Sequence, residues 1–164
     1  MAVSAYEVIE AKTLSSAVAS VTFSSIPQMY TDLVLVLSTG VTTGSSTNVF
    51  FRYNNDSSAL YSRTTLYGDG STAGSSRGSG ATEAYAGQSE TTIQSMSTLQ
   101  IFNYSNTTTF KTCITRDSQA SLVSQTRVNL YRSTSAISRL DVHTASSTFI
   151  VGSTFTLYGI KAAA

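Results

Sequence analysis

Short segments in which apolar and polar residues alternate recur along the whole chain. Alternation with a period of two is typical of half-buried β-strands, and no stretch of a dozen residues shows the 3.6-residue period of a helix. The pattern therefore predicts an all-β domain. We expect one strand between Leu60 and Tyr67 and nine others, at Tyr6–Ala11, Val18–Phe23, Thr31–Ser38, Asn48–Tyr53, Leu99–Tyr104, Phe110–Arg116, Thr126–Tyr131, Ile137–His143 and Thr154–Lys161.

The residues within single strands indicate which faces are buried. Every residue from Leu33 to Leu37 is apolar, which predicts a central strand covered on both faces, by the core or by a partner. Along Val49–Tyr53, alternation predicts one inner and one outer face. Ile137 and Leu140 are out of phase with each other, so we expect a β-bulge that returns both to the core.

The stretch from Gly68 to Thr92 is the exception to this pattern. It contains six of the ten glycines and few apolar side chains, which indicates a loop, and a loop of this length is usually functional or disordered. Two interpretations follow from the residues: a mobile surface loop, or an arm that becomes ordered against a neighbouring subunit.

The chain length fits one domain, and we expect a single domain over residues 1–164 with the loop or arm at 68–92. Eight to ten short strands are the usual complement of two packed sheets. The predicted architecture is a jelly roll or a two-sheet antiparallel β-sandwich of about eight to ten strands.

Composition narrows the range of partners. Charged residues make up 12% of the chain, about half the usual share, while about a third of the residues are Ser or Thr. The ten basic and nine acidic residues are scattered singly, so no basic stripe predicts a nucleic-acid partner. A surface with so little charge favours contact with neighbouring molecules.

Neither the N-terminal residues nor the single cysteine predicts export. No apolar run approaches the ~20 residues that span a bilayer, and the N-terminus lacks the features of a signal peptide. We therefore expect no membrane partner and synthesis in the cytoplasm. Cys113 is the only cysteine, which excludes an internal disulfide, and its apolar strand predicts a buried, inert thiol.

Candidate chemistry is sparse. His143 is the only histidine, so a Ser-His-Asp site would need it, with Asp141 on the same side of a strand. No Gly-x-Ser-x-Gly turn accompanies it, and one histidine with one cysteine falls short of a transition-metal site. We predict no enzyme activity, no catalytic residues, no metal and no cofactor, whereas sugar binding at strand ends stays open.

Three segments together resemble a known family. They read VTFSSIPQMYTDLVL at 21–35, LQIFNYSN followed by FKT at 99–112, and GSTFTLYGIK at 152–161. These segments are similar to small virion structural proteins of tailed bacteriophages, including cyanophages, and the similarity extends from about Glu7 to Lys161. The resemblance implies a jelly-roll-like sandwich that decorates a capsid as a cement protein, as a trimer, or that forms part of a tail-fibre or spike tip.

The predicted role is therefore a capsid cement protein on the virion surface, synthesised in the host cytoplasm. Its expected partners are the major capsid protein and two further copies of itself, contacted by the arm and by one apolar sheet face. The residues expected to make contact are Asp69, Arg77, Glu83 and Tyr85. The alternative is a tail-fibre or spike tip that recognises host surface glycans.

Overall fold

The computed structural model describes residues 5–44, 46–91, 93–119 and 122–161. Within these ranges all regular structure is β, which confirms the all-β prediction. The twelve strands are β1 (Tyr6–Thr13), β2 (Ser20–Phe23), β3 (Asp32–Thr39), β4 (Thr47–Tyr53), β5 (Tyr61–Gly68), β6 (Ala73–Ala81), β7 (Ala84–Ser89), β8 (Ser95–Phe102), β9 (Lys111–Gln119), β10 (Val123–Tyr131), β11 (Leu140–Thr144) and β12 (Thr154–Ile160).

The strands form two antiparallel sheets, as expected of a sandwich. The larger sheet has eight strands in the order β1-β12-β3-β8-β9-β10-β5-β6, and the smaller has four in the order β2-β11-β4-β7. The upper limit of ten strands was too low, because two strands form where the sequence predicts a loop. The more specific jelly-roll topology stays a prediction.

The two strands with the clearest patterns lie as expected. β3 is central, between β12 and β8, and Leu33, Leu35 and Leu37 are fully buried while Val34 on the opposite face is only 8% exposed. In β4 the inner residues are buried and the outer ones, such as Arg52, are partly exposed. The continuous apolar run of β3 indicates a strand covered on both faces, and the alternation along β4 is sufficient to orient that strand.

The predicted β-bulge between Ile137 and Leu140 is wrong. β11 begins only at Leu140, and Ile137 lies before it, where its N–H donates to the carbonyl of Tyr104 at 2.9 Å. Both side chains are fully buried. The chain achieves this by leaving the strand conformation, so no extra strand residue is needed.

The prediction of a long loop or arm at 68–92 is also wrong for most of its length. β6 and β7 occupy 73–81 and 84–89. β6 pairs with β5 as the edge of the large sheet, and β7 pairs with β4 as an edge of the small sheet. Glycine here does not mark turns only; it lets the backbone come close to neighbouring side chains.

Along β5, β8, β9 and β10 the inner face of the large sheet has a mainly apolar end and a polar end. At the apolar end Leu99, Ile101, Cys113, Tyr61 and Tyr131 are buried, and the rings of the last two stack with centroids 4.7 Å apart. The burial of the Cys113 thiol agrees with its predicted position.

At the polar end the same strands turn hydrophilic residues inward: Thr65 on β5, Ser95 and Ser97 on β8, Thr115, Asp117 and Gln119 on β9, and Arg127 and Asn129 on β10. β10 inverts the usual pattern, since Arg127 is 3% exposed whereas its neighbour Val128 is 49% exposed. In an alternating strand one set of side chains must point outward when the other points inward. The inversion therefore creates two features at once: a polar interior and an outer face with exposed aliphatic residues.

Candidate functional site

A groove of about 390 Å³ opens at the polar end, where the inner faces of β5, β6 and β10 meet β7. This volume lies within the ~300–1,000 Å³ range of ligand sites. The groove is lined by Ser46, Arg63, Thr65, Tyr67, Asp69, Ser76, Tyr85, Gln88, Leu122, Val123, Gln125 and Arg127. Tyrosine, arginine and glutamine residues therefore account for half of the lining.

Two glycines of β6 lie next to two of the groove-lining side chains. An added Cβ at Gly74 would lie 2.6 Å from the hydroxyl oxygen of Tyr67, and one at Gly78 would lie 3.4 Å from Cζ of Arg63. Both side chains come from β5, which pairs with β6. Because the glycines of β6 have no side chains, Tyr67 and Arg63 can lie across this strand. Side chains that cover glycines in this way are known to stabilise edge strands.

β7 is held close to the large sheet by a glycine and an asparagine. An added Cβ at Gly87 would lie 2.9 Å from Cβ of Asp117, which is too close for any other residue without movement. The buried side chain of Asn129 accepts from the N–H of Tyr85 at 3.2 Å and donates to its carbonyl at 3.3 Å. These two bonds fix the position of Tyr85, which lines the groove.

Two guanidinium groups lie over the ring of Tyr85. Cζ of Arg127 is 4.3 Å and Cζ of Arg63 is 5.0 Å from the ring centroid, distances typical of cation–π contacts. Burial raises the pKa of Tyr85, although the two nearby arginines oppose the shift. The phenol is therefore neutral and acts as a hydrogen-bonding and stacking group.

The two arginines differ in their charge partners. Arg127 forms a buried ion pair with Asp117 and donates to Oε1 of Gln125. Burial raises the pKa of Asp117, while the adjacent guanidinium works against that rise. By contrast, no ion pair joins Arg63 to any carboxylate of the described residues. Arg63 therefore supplies a positive charge that no carboxylate balances locally.

A chain of hydrogen bonds continues from this pair along the groove wall. Nε2 of Gln125 donates to Oε1 of Gln88 at 3.0 Å, and Nε2 of Gln88 donates to Oδ1 of Asn48 at 3.3 Å. Deeper inside, the buried hydroxyls of Ser95 and Thr115 have no hydrogen-bond partner among the described residues. Buried hydroxyls without partners are uncommon in native proteins. These two hydroxyls can therefore form further hydrogen bonds at this end of the interior.

The structure divides the four residues expected to make partner contacts. Asp69 and Tyr85 both line the groove. Arg77 lies on β6 opposite Thr64 and is exposed on the outer side of the large sheet. Glu83 lies in the connection between β6 and β7, where it accepts from Arg52 at 2.8 Å. Whether any of them contacts a partner stays a prediction.

Asp69 also stabilises the turn between β5 and β6. Its Oδ1 accepts from the N–H and hydroxyl of Ser71, both at 2.9 Å, and from the N–H of Thr72 at 2.6 Å. These bonds close the turn between β5 and β6 and lower the pKa of Asp69. The carboxylate at this end of the groove is therefore ionised and fixed in position.

The candidate His143 and Asp141 do not bond to each other. Nε2 of His143 lies 2.8 Å from Oε2 of Glu83, whereas Asp141 accepts from the guanidinium of Arg139 and from the hydroxyl of Thr22 at 2.6 Å. The part of the chain that the structure describes contains no cluster of three or more His, Cys, Asp or Glu residues suited to a metal. It also contains no helix long and apolar enough to cross a membrane.

A second surface is the outer face of the large sheet, opposite the interior. Two rows of paired residues cross all eight strands on this face. One row is Val8, Tyr158, Val34, Gln100, Ile114, Val128, Thr64 and Arg77, and the next is Ala11, Thr156, Val36, Thr98, Arg116, Thr126, Leu66 and Ser75. Arg77 and Arg116 are the only charged residues in these rows.

Comparison with known proteins gives no further information on the site, because no protein-family model, curated protein or solved structure matches the chain.

Proposed function

We propose that this protein is a structural component of a bacteriophage particle that stabilises the capsid shell by binding between major capsid subunits. The observation that carries the proposal is the outer face of the large sheet. On it Val8, Leu66 and Val128 are exposed by 59%, 62% and 49%, although a solvent-facing sheet surface is normally polar. The phage-like segments of the sequence support the same role.

The size of this face suits a specific protein interface. Eight strands spaced ~4.8 Å apart span about 34 Å, and a strand of eight residues extends about 24 Å. The product, about 800 Å², equals the area that one partner contributes to an interface of standard size. Its surface of aliphatic and hydroxyl side chains, with little charge, resembles the central part of such interfaces.

The charge on the face favours a different protein as its binding partner over a second copy of this chain. Arg77 and Arg116 are both positive and form no ion pair with the described residues. A capsid surface with carboxylates at the matching positions would complement them, whereas packing this face against itself would bring like charges into one interface. Many copies, each bound weakly, would then add their binding energies over the shell. Trimer formation is a separate prediction, which sedimentation of the purified protein would test.

The first experiment is the copy number of the protein in purified particles, determined by quantitative mass spectrometry. A cement protein is expected in hundreds of copies per particle. A count in the tens, together with binding of the isolated protein to host cells, would reject the cement role and support the receptor-binding tip. That second candidate is favoured by one observation, the polar groove described above.

The second experiment tests the face itself with a matched pair of variants. Val128→Lys places a charge in the middle of the outer face, while Val151→Lys changes a similarly exposed valine (60%) in the turn before β12. Particles that lack the protein are incubated with each variant and then heated. We expect Val151→Lys to bind and protect the shell like the unmodified protein, and Val128→Lys to do neither. Equal protection by both variants would exclude this face as the contact.

A further inference from the structure

The groove at the polar end combines charged, neutral polar and aromatic groups in one elongated cavity. Arg63 lies on one side, over the ring of Tyr85, with no carboxylate paired to it among the described residues. Asp69 follows six residues later on the same strand and turn, about 20 Å along an extended chain. The groove is therefore elongated, with a guanidinium towards one end and a carboxylate at the other.

The groups between these ends are neutral hydrogen-bonding and aromatic groups. Gln88 and Gln125 present amides, Ser76 a hydroxyl, and Tyr67 and Tyr85 rings with hydroxyls. Amides and hydroxyls both donate and accept, which suits a ligand that carries many hydroxyl groups. An aliphatic or purely aromatic ligand would displace water from these polar groups without replacing its hydrogen bonds, at a cost in affinity.

We propose that this groove binds an acidic saccharide, with the sugar carboxylate held by Arg63 and sugar hydroxyls bound by Gln88, Gln125 and Asp69. A guanidinium binds a carboxylate through two parallel charge-assisted hydrogen bonds. The Asp69 carboxylate accepts hydrogen bonds from hydroxyls and repels a second acid at its end of the groove. This assignment rests on the groove alone, so it holds whether the protein is located in a capsid or in a tail.

Three of the groove groups are fixed before any ligand arrives. Arg127 is held by Asp117, the backbone of Tyr85 by the side chain of Asn129, and Tyr67 by its position over Gly74. A site whose side chains are already ordered loses less entropy on binding. Arg63 needs only to keep its guanidinium near Tyr85, where the cation–π contact limits its motion.

The experiment is a titration of the purified protein with oligogalacturonate, and with a neutral maltooligosaccharide of the same length, at physiological ionic strength. Backbone amide NMR spectra report the position of binding, and calorimetry reports the affinity. We expect oligogalacturonate to shift amide signals of β6 and β7, and the neutral sugar to bind about tenfold or more weakly, because it lacks the charge-assisted bonds.

Arg63→Gln and Arg77→Gln provide the matched variants. Each removes one positive charge from the same β-hairpin, but Arg63 lines the groove and Arg77 lies on the outer face. Circular dichroism verifies that both are folded. The proposal predicts about a tenfold or greater loss of oligogalacturonate affinity for Arg63→Gln and no change for Arg77→Gln. Equal effects of the two variants, signal shifts confined to the outer face, or no binding of oligogalacturonate would each overturn it.

Discussion

The buried ion pair between Arg127 and Asp117 gives the sharpest prediction for stability. Their side chains are only 3% and 1% exposed. Removing one partner of a buried pair typically costs about 3–5 kcal/mol, because the other charge stays in the interior without compensation. We therefore expect Arg127→Met to lower the free energy of unfolding by about 3–5 kcal/mol at neutral pH, which for a domain of this size corresponds to roughly 6–20 °C in Tm.

The loss should depend on pH through the Asp117 carboxyl. Burial already raises its pKa in the folded protein, and Arg127→Met removes the guanidinium that opposes the rise. A carboxyl with a raised pKa in the folded state contributes stability below its unfolded pKa of ~3.9, and this contribution is lost as the pH rises through the folded pKa. The difference between variant and unmodified protein should therefore be small near pH ~4 and largest at neutral pH.

Urea unfolding followed by circular dichroism and tyrosine fluorescence measures these differences, since the chain has nine tyrosines and no tryptophan. The control is the double variant Asp117→Asn/Arg127→Met, which contains no buried charge at this position. It should be more stable at neutral pH than Arg127→Met alone, and its own stability should lack the pH dependence that Asp117 causes. A loss of about 1 kcal/mol or less for Arg127→Met, the range of exposed pairs, would refute the reasoning.

Two further predictions concern packing and the thiol. An added Cβ at Gly159 would lie 2.5 Å from Cδ1 of Tyr30, so Gly159→Ala should lower the free energy of unfolding by about 1–3 kcal/mol. Gly68→Ala, whose Cβ would lie 3.9 Å from its nearest neighbour, should be nearly neutral. Thermal denaturation of both variants measures the difference. Burial raises the pKa of Cys113, so an uncharged thiol reagent should modify it only in denaturant; rapid labelling of the folded protein would contradict its burial.

Ten of the twelve strands could be predicted, because each contains either alternating polar and apolar residues or a short apolar run. β6 could not, because the sequence AGSSRGSGA has no apolar set to alternate. Its pairing with β5, and the Tyr67 ring and Arg63 guanidinium that lie over its glycines, supply the stabilisation that the sequence of β6 itself lacks. Local propensity is a weak guide where tertiary contacts decide the conformation.

The groove was predictable only in part. Asp69 and Tyr85 were selected because they lie in the unusual glycine-rich stretch, but Arg63 and Arg127 are distant in sequence and meet through the antiparallel pairing of β5 with β10. The alternation along β10 indicated that Arg127 and Val128 lie on opposite faces of the strand. Hydrophobicity alone would have turned Val128 inward, however, and the structure places it outward. Alternation reveals that a strand has two faces, and the surrounding sheet decides which of them is buried.

The division of the interior into an apolar end and a polar end has a consequence for how the molecule opens. Apolar burial provides most of the free energy that holds a domain together, and within β5, β8, β9 and β10 it lies at the end that contains Tyr61, Tyr131 and Ile101. The end of these four strands around Ser97 and Asp117 contributes less of it. Regions with few buried apolar contacts open locally at lower free energy than the whole molecule unfolds. Strands β5, β8, β9 and β10 should therefore exchange amide hydrogens in a gradient along their length, slowest near the tyrosines and fastest towards the groove.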